Sequence, residues 1–363
     1  MKILLISHDA SLTGAPILLL NLAGLLLKNN EDIVFLLKEG GVLESDFALM
    51  APTYNLKEDK KSLWNILNTK KSIIDDKNFL KQFDVIISNT ITNGEVLEII
   101  RKNYNGNIIS YIHELEIGAK AFSNENSINK LIKSSTTFWV PSSIVNDFLI
   151  DKYKISPDKI FIMPYYIPSN ASDFKIESNS ENQFVVGGCG TIDWRKGVDL
   201  FIVIAIQLFI KYPKASIVFK WAGALPGIEL ERLNYQVRKC NLEGKVFFEI
   251  ASSNLNNFYN SIDLFLLPSR EDPYPLVILE AANFSVPSIC FDSVCGSKDF
   301  IINSKGGLVV PFLDINETVE AIINFYNDIN FTKKLGENAK DYLKHTHLSD
   351  AFVYNKFKEL LEN

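Results

Sequence analysis

Long hydrophobic runs are absent from this sequence. The most apolar segment, Phe201 to Ile210, has ten residues and is too short to cross a bilayer. The N-terminus carries one lysine and a short apolar run that stops at His8 and Asp9, so a secretory signal is not expected. The cysteines are few and lack metal or redox spacing, which favours free thiols in a reducing, cytoplasmic location: Cys189, Cys240, Cys290 and Cys295.

A strong charge of one sign is also missing. The chain has 37 basic and 43 acidic residues, for a net charge of −6, which argues against nucleic acid as the main partner. The hydrophobic fraction of 47% with 22% charged residues excludes a disordered or fibrous chain. A length of 363 residues is typical of two domains of roughly 150–200 residues each.

Short apolar runs alternate with amphipathic segments along most of the chain, a pattern that predicts parallel sheets covered by helices on both faces. The polar stretch from about 169 to 182 has no periodicity and is interpreted as a linker. We therefore predict an α/β fold with an N-terminal Rossmann-like domain over 1–170, a linker over 171–182 and a C-terminal Rossmann-like domain over 183–347. Such domains bind ligands at the carboxyl ends of their strands, so we expect them to face a central cleft.

Two glycine-containing loops each precede a long apolar helix. Gly14 would let a ligand approach the backbone at a helix N-terminus, although a plain turn explains it equally well. In the second loop, Arg195 and Lys196 stand at the mouth of a helix, where two cations and the helix dipole suit a diphosphate. A solvated basic pair is the alternative. The third glycine of a dinucleotide fingerprint would fall at Asp193, which disfavours a dehydrogenase, and no Walker loop occurs.

A third loop joins an apolar strand to a helix that starts near Leu276. Asp272 lies in this loop, and Glu280 shares a helix face with Leu276. Carboxylates accept hydrogen bonds from sugar and ribose hydroxyls, while free N–H groups at the helix start can take a phosphate. The alternative for Glu280 is a solvent-facing helical glutamate.

The segment Pro268–Ala282, the Arg-Lys-Gly loop, the Gly14 loop and the strand Val246-Phe247-Phe248 together resemble glycosyltransferase family 4, also called group 1. The motifs follow family order from Gly14 to Val310, which is nearly the whole chain. The resemblance implies the GT-B architecture and a retaining, metal-independent transfer of a sugar from a UDP- or GDP-linked donor to an acceptor hydroxyl. It also implies a place in bacterial surface polysaccharide or glycoconjugate biosynthesis, with a saccharide, lipid-linked or protein-linked acceptor and no cofactor.

The resemblance assigns roles to individual residues. Asp272 would face the donor sugar, Glu280 would bind ribose, and Lys196 with Arg195 would bind the diphosphate. His113, in the segment from Tyr111 to Leu115, matches a histidine that faces the donor sugar, although a histidine after a strand is often structural. The remaining implied contacts are Gly14, Leu276 and Val277 to the diphosphate, Tyr274 and Pro275 to the sugar, and Ile250 to the nucleobase. Gly296 and Gly306-Gly307-Leu308-Val309 match later family turns that serve the fold.

The sequence departs from the family pattern at four places. Asp272 stands where glutamate is usual, Pro275 replaces a glycine and removes an N–H donor, and Thr191 replaces an arginine for which Arg195 would compensate. The usual Asn-Gly pair after a strand-end proline is Tyr165-Tyr166 here. These changes leave the identity of the sugar open.

A lysine-rich stretch with interleaved apolar residues, from Tyr54 to Phe83, can lie on an anionic membrane surface. We take peripheral contact with the inner membrane face, near a lipid-linked acceptor, as a hypothesis; a solvated face is the alternative. Two other functions stay open: a non-catalytic sugar-nucleotide-binding subunit, and an epimerase or phosphorylase of GT-B architecture. By analogy with relatives, the last helix, within 348–363, is expected to cross back to the first domain.

Overall fold

The computed structural model describes residues 1–59, 72–168, 183–252 and 254–362. The linker predicted over 171–182 and the middle of the lysine-rich stretch, residues 60–71, lie outside the described residues. The chain divides into two compact units. The first unit comprises Met1–Ser169 with Thr346–Asn363, and the second comprises Asn170–His345.

The first unit contains a seven-stranded parallel sheet with the order β3-β2-β1-β4-β5-β6-β7. The strands are β1 (Lys2–Ser7), β2 (Asp32–Leu37), β3 (Thr53–Asn55), β4 (Val85–Asn89), β5 (Asn107–Tyr111), β6 (Thr137–Val140) and β7 (Ile160–Ile162). The helices are α1 (Gly14–Lys28), α2 (Glu44–Met50), α3 (Leu56–Asp59), α4 (Lys77–Leu80), α5 (Gly94–Arg101), α6 (Glu116–Phe122), α7 (Glu125–Ser134) and α8 (Ser143–Tyr153). Two 3-10 turns occupy Ile73–Asp75 and Pro157–Lys159.

The second unit repeats this plan with a six-stranded parallel sheet of order β10-β9-β8-β11-β12-β13. The strands are β8 (Phe184–Cys189), β9 (Ile217–Ala224), β10 (Val246–Ile250), β11 (Leu264–Leu267), β12 (Ser288–Phe291) and β13 (Gly307–Val310). The helices are α9 (Val198–Lys211), α10 (Ile228–Lys239), α11 (Asn256–Asn260), α12 (Leu276–Asn283), α13 (Ser297–Ser304), α14 (Ile315–Asn327) and α15 (Ile329–His345). The expectation of two Rossmann-like α/β domains is confirmed.

Burial on both faces explains why the strands were visible in the sequence. All five residues of β4 are buried, as are all four of β11, because helices cover both sides of a parallel sheet. In the second unit, large aromatic side chains of α9 and β9 fill the core. The Phe201 ring packs edge-on against Phe219 and Trp221, with centroids 5.3 and 5.2 Å apart.

One segment differs from its expected structure. Gly307-Leu308-Val309, expected to form a turn, lies in β13 and pairs with β12 from Ser288↔Gly307 to Phe291↔Val310. A side chain at Gly307 would collide with the backbone of Ser288 on the neighbouring strand. This glycine therefore serves the close approach of two strands.

The last helix, α16 (Asp350–Glu362), packs within the first unit. The ring of the fully buried Phe357 meets Trp139 edge-on, with centroids 5.7 Å apart. Polar contacts fix the first part of this helix: Tyr354 donates to Glu31 at 2.7 Å, and Asp350 accepts from Tyr166 at 2.6 Å. The chain thus returns to the first unit after completing the second.

We expect Phe357→Ala to destabilise the first unit by about 3–5 kcal/mol, since it removes a buried aromatic side chain and leaves a cavity. Urea denaturation followed by tryptophan fluorescence measures this change. Phe352→Ala on the same helix is the matched control, because that ring is 43% exposed. Equal effects of the two substitutions would contradict the packing of α16 on the first unit.

Candidate functional site

The predicted site residues of the second unit follow neighbouring strands. β8 and β11 pair in parallel, with Phe265 opposite Gly187, so the two strands present their carboxyl ends at the same edge. The order of strands reverses between β8 and β11, which is where open α/β sheets bind ligands. The loop from Gly190 follows β8, and the loop from Pro268 follows β11.

An ion pair joins these two loops. Lys196 Nζ lies 2.6 Å from Asp272 Oδ2, and the side chains are only 18% and 7% exposed. Ser269 Oγ donates a longer bond of 3.3 Å to the same carboxylate oxygen. The Asp272 backbone is fixed as well, because its N–H donates to Val294 at 2.9 Å and its carbonyl accepts from Gly296 at 2.9 Å. The aspartate is therefore held rigidly, and removing Lys196 would leave a buried charge without its partner.

Two arginines form hydrogen bonds that link the segments of this site. Only one of them pairs with a carboxylate. Arg270 binds both carboxylate oxygens of Asp199, at 2.8 and 2.6 Å, and this hydrogen bonding lowers the pKa of Asp199. Arg195 instead donates to the carbonyl oxygen of Glu271 at 3.4 Å. In the described part of the chain no carboxylate pairs with Arg195, so its positive charge remains available to an anion.

Glu280, on α12, receives a hydrogen bond of 2.6 Å from the hydroxyl of Tyr259 on α11. The glutamate is exposed, yet the protein atoms crowded around its carboxyl group raise its pKa; the bond from Tyr259 opposes this effect. Tyr259 is buried and stacks on Phe284, with centroids 5.6 Å apart. One oxygen of Glu280 is thus anchored, which orients the other oxygen for a ligand.

The start of α12 supplies further groups. Pro275 caps the helix, and Leu276 and Val277 form its first turn, whose N–H groups have no intrahelical carbonyl to bind. Tyr274 is 8% exposed, which leaves mainly its backbone for a ligand. Ile250 ends β10 and is 53% exposed, so its side chain is accessible.

The first unit holds the other two predicted site residues. Gly14 begins α1, and a side chain added there would meet nothing within 4 Å, so packing inside the unit does not require a glycine. His113 follows β5 and contacts Asn89, the last residue of β4, with 2.6 Å between Nε2 and Oδ1. Its Nδ1 lies 2.9 Å from the hydroxyl of Tyr165.

Glu114 is the buried acid beside His113. Its Oε2 accepts the backbone N–H groups of His113 at 3.0 Å and of Ile91 at 3.1 Å. Burial raises the pKa of Glu114 to about 7, against the effect of these two donors. The carboxyl group therefore links the segments that follow β4 and β5.

Several partners were not predicted from the sequence: Asn89, Glu114, Tyr165 and Tyr259. Asn89 and Glu114 carried a usable signal, a polar residue at the end of an apolar run. Tyr165 was noticed only as a departure from a family pattern, and Tyr259 gave no local signal. Among the described residues, no cluster of three or more histidine, cysteine or acidic side chains could hold a metal ion.

Comparisons with known proteins identify the kind of domain present. The model of group 1 glycosyl transferases matches residues 169–342. The chain is 31% identical over 166 residues to the alpha-galactosylglucosyldiacylglycerol synthase of Streptococcus pneumoniae, covering 45% of this chain and 41% of the synthase. It is 24% identical over 326 residues to the O-antigen biosynthesis glycosyltransferase WclY of Escherichia coli, covering 82% and 85% of the two chains.

The fold matches solved structures over its full length. Anabaena Alr3699/HepE in complex with UDP superposes with a TM-score of 0.79, at 17% identity and with 100% of both chains covered. Its complex with UDP-glucose superposes with a TM-score of 0.76.

The chain spans less than half the length of the first curated relatives it matches, 41% for the pneumococcal synthase. The second unit thus contains most of the stretch that is similar to group 1 glycosyl transferases, and the chain has a GT-B-like fold.

Glu114 should make stability depend on pH. Because burial raises its folded pKa to about 7 from 4.5, the stability that it contributes is present at low pH and is lost as the pH rises through 7. Between pH 5 and 8, the wild type should lose about 2–3 kcal/mol relative to Glu114→Gln. Urea denaturation at both pH values measures the difference.

Glu116→Gln provides the control for that measurement. Glu116 is exposed, and its hydrogen bond from Lys120 lowers its pKa, so its substitution should not reproduce the loss. Parallel pH profiles for the wild type and Glu114→Gln would show that Glu114 is not titrating in the folded protein.

Proposed function

We propose that the chain is a group 1 glycosyltransferase of family 4 that moves a sugar, with retention and without a metal ion, from a nucleotide-sugar to an acceptor hydroxyl. The observation that carries this proposal is the grouping of Lys196, Arg195 and the start of α12 at the carboxyl ends of β8 and β11. The family match over residues 169–342 and the UDP complexes of HepE support the same donor class. UDP- and GDP-linked sugars are the donors to test.

In this mechanism the leaving group is a nucleoside diphosphate. Its charge develops as the glycosidic bond breaks, and preorganised cations and N–H dipoles stabilise that charge in the transition state. Lys196, Arg195 and the N–H groups of Leu276 and Val277 supply these interactions. Glu280 holds the ribose, and Asp272, fixed by Lys196, faces the sugar.

The roles of the other predicted residues remain part of this proposal. Gly14 leaves open space above the start of α1, where backbone N–H groups can approach the diphosphate. Ile250 packs against the base, Tyr274 and Pro275 contact the sugar through their backbone, and His113 faces the sugar from the first unit. Retention fits attack of the acceptor on the face that the phosphate leaves: the acceptor oxygen bonds to the anomeric carbon as the bond to the diphosphate breaks, and the departing phosphate oxygen takes the acceptor's proton.

A non-catalytic nucleotide-sugar-binding subunit is the second candidate. Asp272 favours it, because the carboxylate is shorter than the usual glutamate and is engaged by Lys196 and Ser269. This candidate predicts nucleotide binding without turnover by the chain alone and activity only with a partner chain.

The names of two relatives support a proposal for the acceptor class. One is named for synthesis of a glycosyl diacylglycerol and another for O-antigen biosynthesis, so we propose a saccharide or lipid-linked acceptor in surface glycan assembly, with a protein-linked acceptor as the less supported case. We further propose a cytoplasmic enzyme in peripheral contact with the inner membrane face. No helix in the described ranges is long and apolar enough to cross a bilayer.

Lys196→Ala and Glu280→Ala should each lower transfer at least about 100-fold, because they remove charge stabilisation and ribose binding from the donor site. Nucleotide release and product formation from a panel of UDP- and GDP-sugars measure the loss, with circular dichroism to verify folding. Lys211→Ala and Glu320→Ala are controls that break an exposed 2.7 Å ion pair of the same unit.

The same assay tests the finer claims. Proton NMR of the product should show the donor's anomeric configuration, and EDTA should leave the rate unchanged. Wild-type turnover in either site variant refutes the assignment of residues; an inverted product refutes retention, and loss of activity in EDTA refutes metal independence. Nucleotide binding without any turnover favours the non-catalytic subunit.

Membrane contact predicts that the protein sediments with anionic liposomes at low salt. Lys77 and Lys81, exposed on and after α4, belong to the described part of the lysine-rich stretch. Reversing both to glutamate should weaken binding at least about tenfold, since each lysine near the surface contributes about 1 kcal/mol. Lys214→Glu with Lys239→Glu, in the second unit, is the charge-matched control. Absence of wild-type binding at low salt would exclude this contact.

A further inference from the structure

A chain of hydrogen bonds runs through the polar groups that follow β4 and β5 in the first unit. The amide nitrogen of Asn89 donates to the carbonyl oxygen of Ala15 at 2.9 Å. The amide oxygen of Asn89 lies 2.6 Å from Nε2 of His113, and Nδ1 of His113 lies 2.9 Å from the hydroxyl of Tyr165. These hydrogen bonds thus connect the start of α1 to Tyr165.

The direction of each hydrogen bond follows from its partners. A carbonyl oxygen only accepts, so the Asn89 nitrogen must face Ala15, and the Asn89 oxygen must face His113. An amide oxygen also only accepts, so Nε2 of His113 must carry a hydrogen. In a neutral ring Nδ1 then has a lone pair, and the Tyr165 hydroxyl donates to it.

The surroundings of His113 favour the neutral ring. The groups that face it are the ring of Tyr111, 4.3 Å away between centroids, the hydroxyl of Tyr165 and the carboxyl group of Glu114, which binds the His113 backbone. His8, after β1, would repel a second positive charge. Burial and this repulsion lower the pKa of His113 to about 3.

We propose that Asn89 and Tyr165 are positioning residues that hold His113 as its neutral Nε2–H tautomer, with both ring nitrogens bound inside the first unit. The tautomer does not depend on the proposed function. Only the role of His113 in catalysis rests on that function. His113, held in this way, does not take the acceptor proton, and its role is to present a fixed, uncharged surface to the donor. The tautomer itself can be measured without any nucleotide.

The chain contains an internal reference of opposite tautomer. Nδ1 of the buried His347 lies 2.7 Å from the backbone oxygen of Tyr165, which only accepts, so Nδ1 of His347 carries the hydrogen. One residue, Tyr165, therefore donates to one histidine through its hydroxyl and accepts from another through its carbonyl. His113 and His347 should give distinguishable nitrogen signals.

Nitrogen-15 NMR of the full chain, labelled only at its four histidines, tests the proposal. His113→Gln and His347→Gln assign the signals of these two rings. We expect His113 as the Nε2–H form and His347 as the Nδ1–H form, with no titration of His113 between pH 5 and 8. An Nδ1–H form of His113, or its titration in that range, would overturn the proposal whether or not the protein binds a nucleotide.

Two substitutions test the positioning residues. Tyr165→Phe keeps the aromatic ring but removes the hydroxyl that donates to His113. The Nδ1 signal of His113 should therefore move to the position of an unprotonated nitrogen that accepts no hydrogen bond. Asn89→Asp places a carboxylate against Nε2–H, which should raise the pKa of His113 and bring its titration into view above pH 5. Tyr354→Phe removes a hydroxyl that binds Glu31 in the same unit and should leave His113 unchanged.

Catalysis provides the second readout. Tyr165→Phe should lower kcat about tenfold, while the dissociation constant of the nucleotide stays unchanged, because one hydrogen bond orienting the ring is lost. The pH profile of the wild-type kcat should contain no step due to His113, so His113→Gln should remove none. Unchanged His113 signals in Tyr165→Phe, or an ionisation of the rate that disappears in His113→Gln, would refute the role assigned to Tyr165 and Asn89.

Discussion

A parallel strand that is buried on both faces can present polar groups to a ligand only at its ends. This constraint determines where chemistry can occur in both units, because β4 and β11 are fully buried along their length. In the first unit, Asn89 and His113 stand at the ends of β4 and β5; in the second, Lys196 and Asp272 follow β8 and β11. The apolar sheets thus act as rigid supports, and the loops that they hold carry the polar side chains of the candidate site.

Charge in the second unit is distributed unevenly over these loops. Lys196 is paired with Asp272 and Arg270 with Asp199, so two of three neighbouring cations are already neutralised. Arg195 donates to a carbonyl group instead, close to the pair that fixes Asp272. The ion pairs order the loops before a ligand arrives, and Arg195 with the start of α12 retains attraction for an anion. In a site built in this way, the charged groups need little reorientation when charge develops on a ligand, so the free-energy cost of reorganisation is small.

Local signals made much of the architecture predictable, whereas long-range partners were not. Apolar runs and helical periodicity indicated most strands, because each pattern is contained in fewer than about ten residues. The partners of His113 lie 24 and 52 residues away in sequence, and Tyr165 binds a histidine 182 residues away. No periodicity connects such residues. β13 was not predicted for a related reason. Its first residue, Gly307, is required by the close approach of the β12 backbone, which the local sequence does not show.

The adjacent residues Tyr165 and Tyr166 connect His113 to the C-terminal segment of the same unit. Tyr165 binds His113, while Tyr166 donates to Asp350 at the start of α16. The carbonyl of Tyr165 also accepts from His347, and the N–H of Ile167 donates to the carbonyl of His347 at 3.0 Å. The segment that orients His113 is therefore bound to the returning C-terminal segment on three consecutive residues. Since each bond constrains the same short stretch of backbone, the C-terminal segment contributes to the geometry of His113.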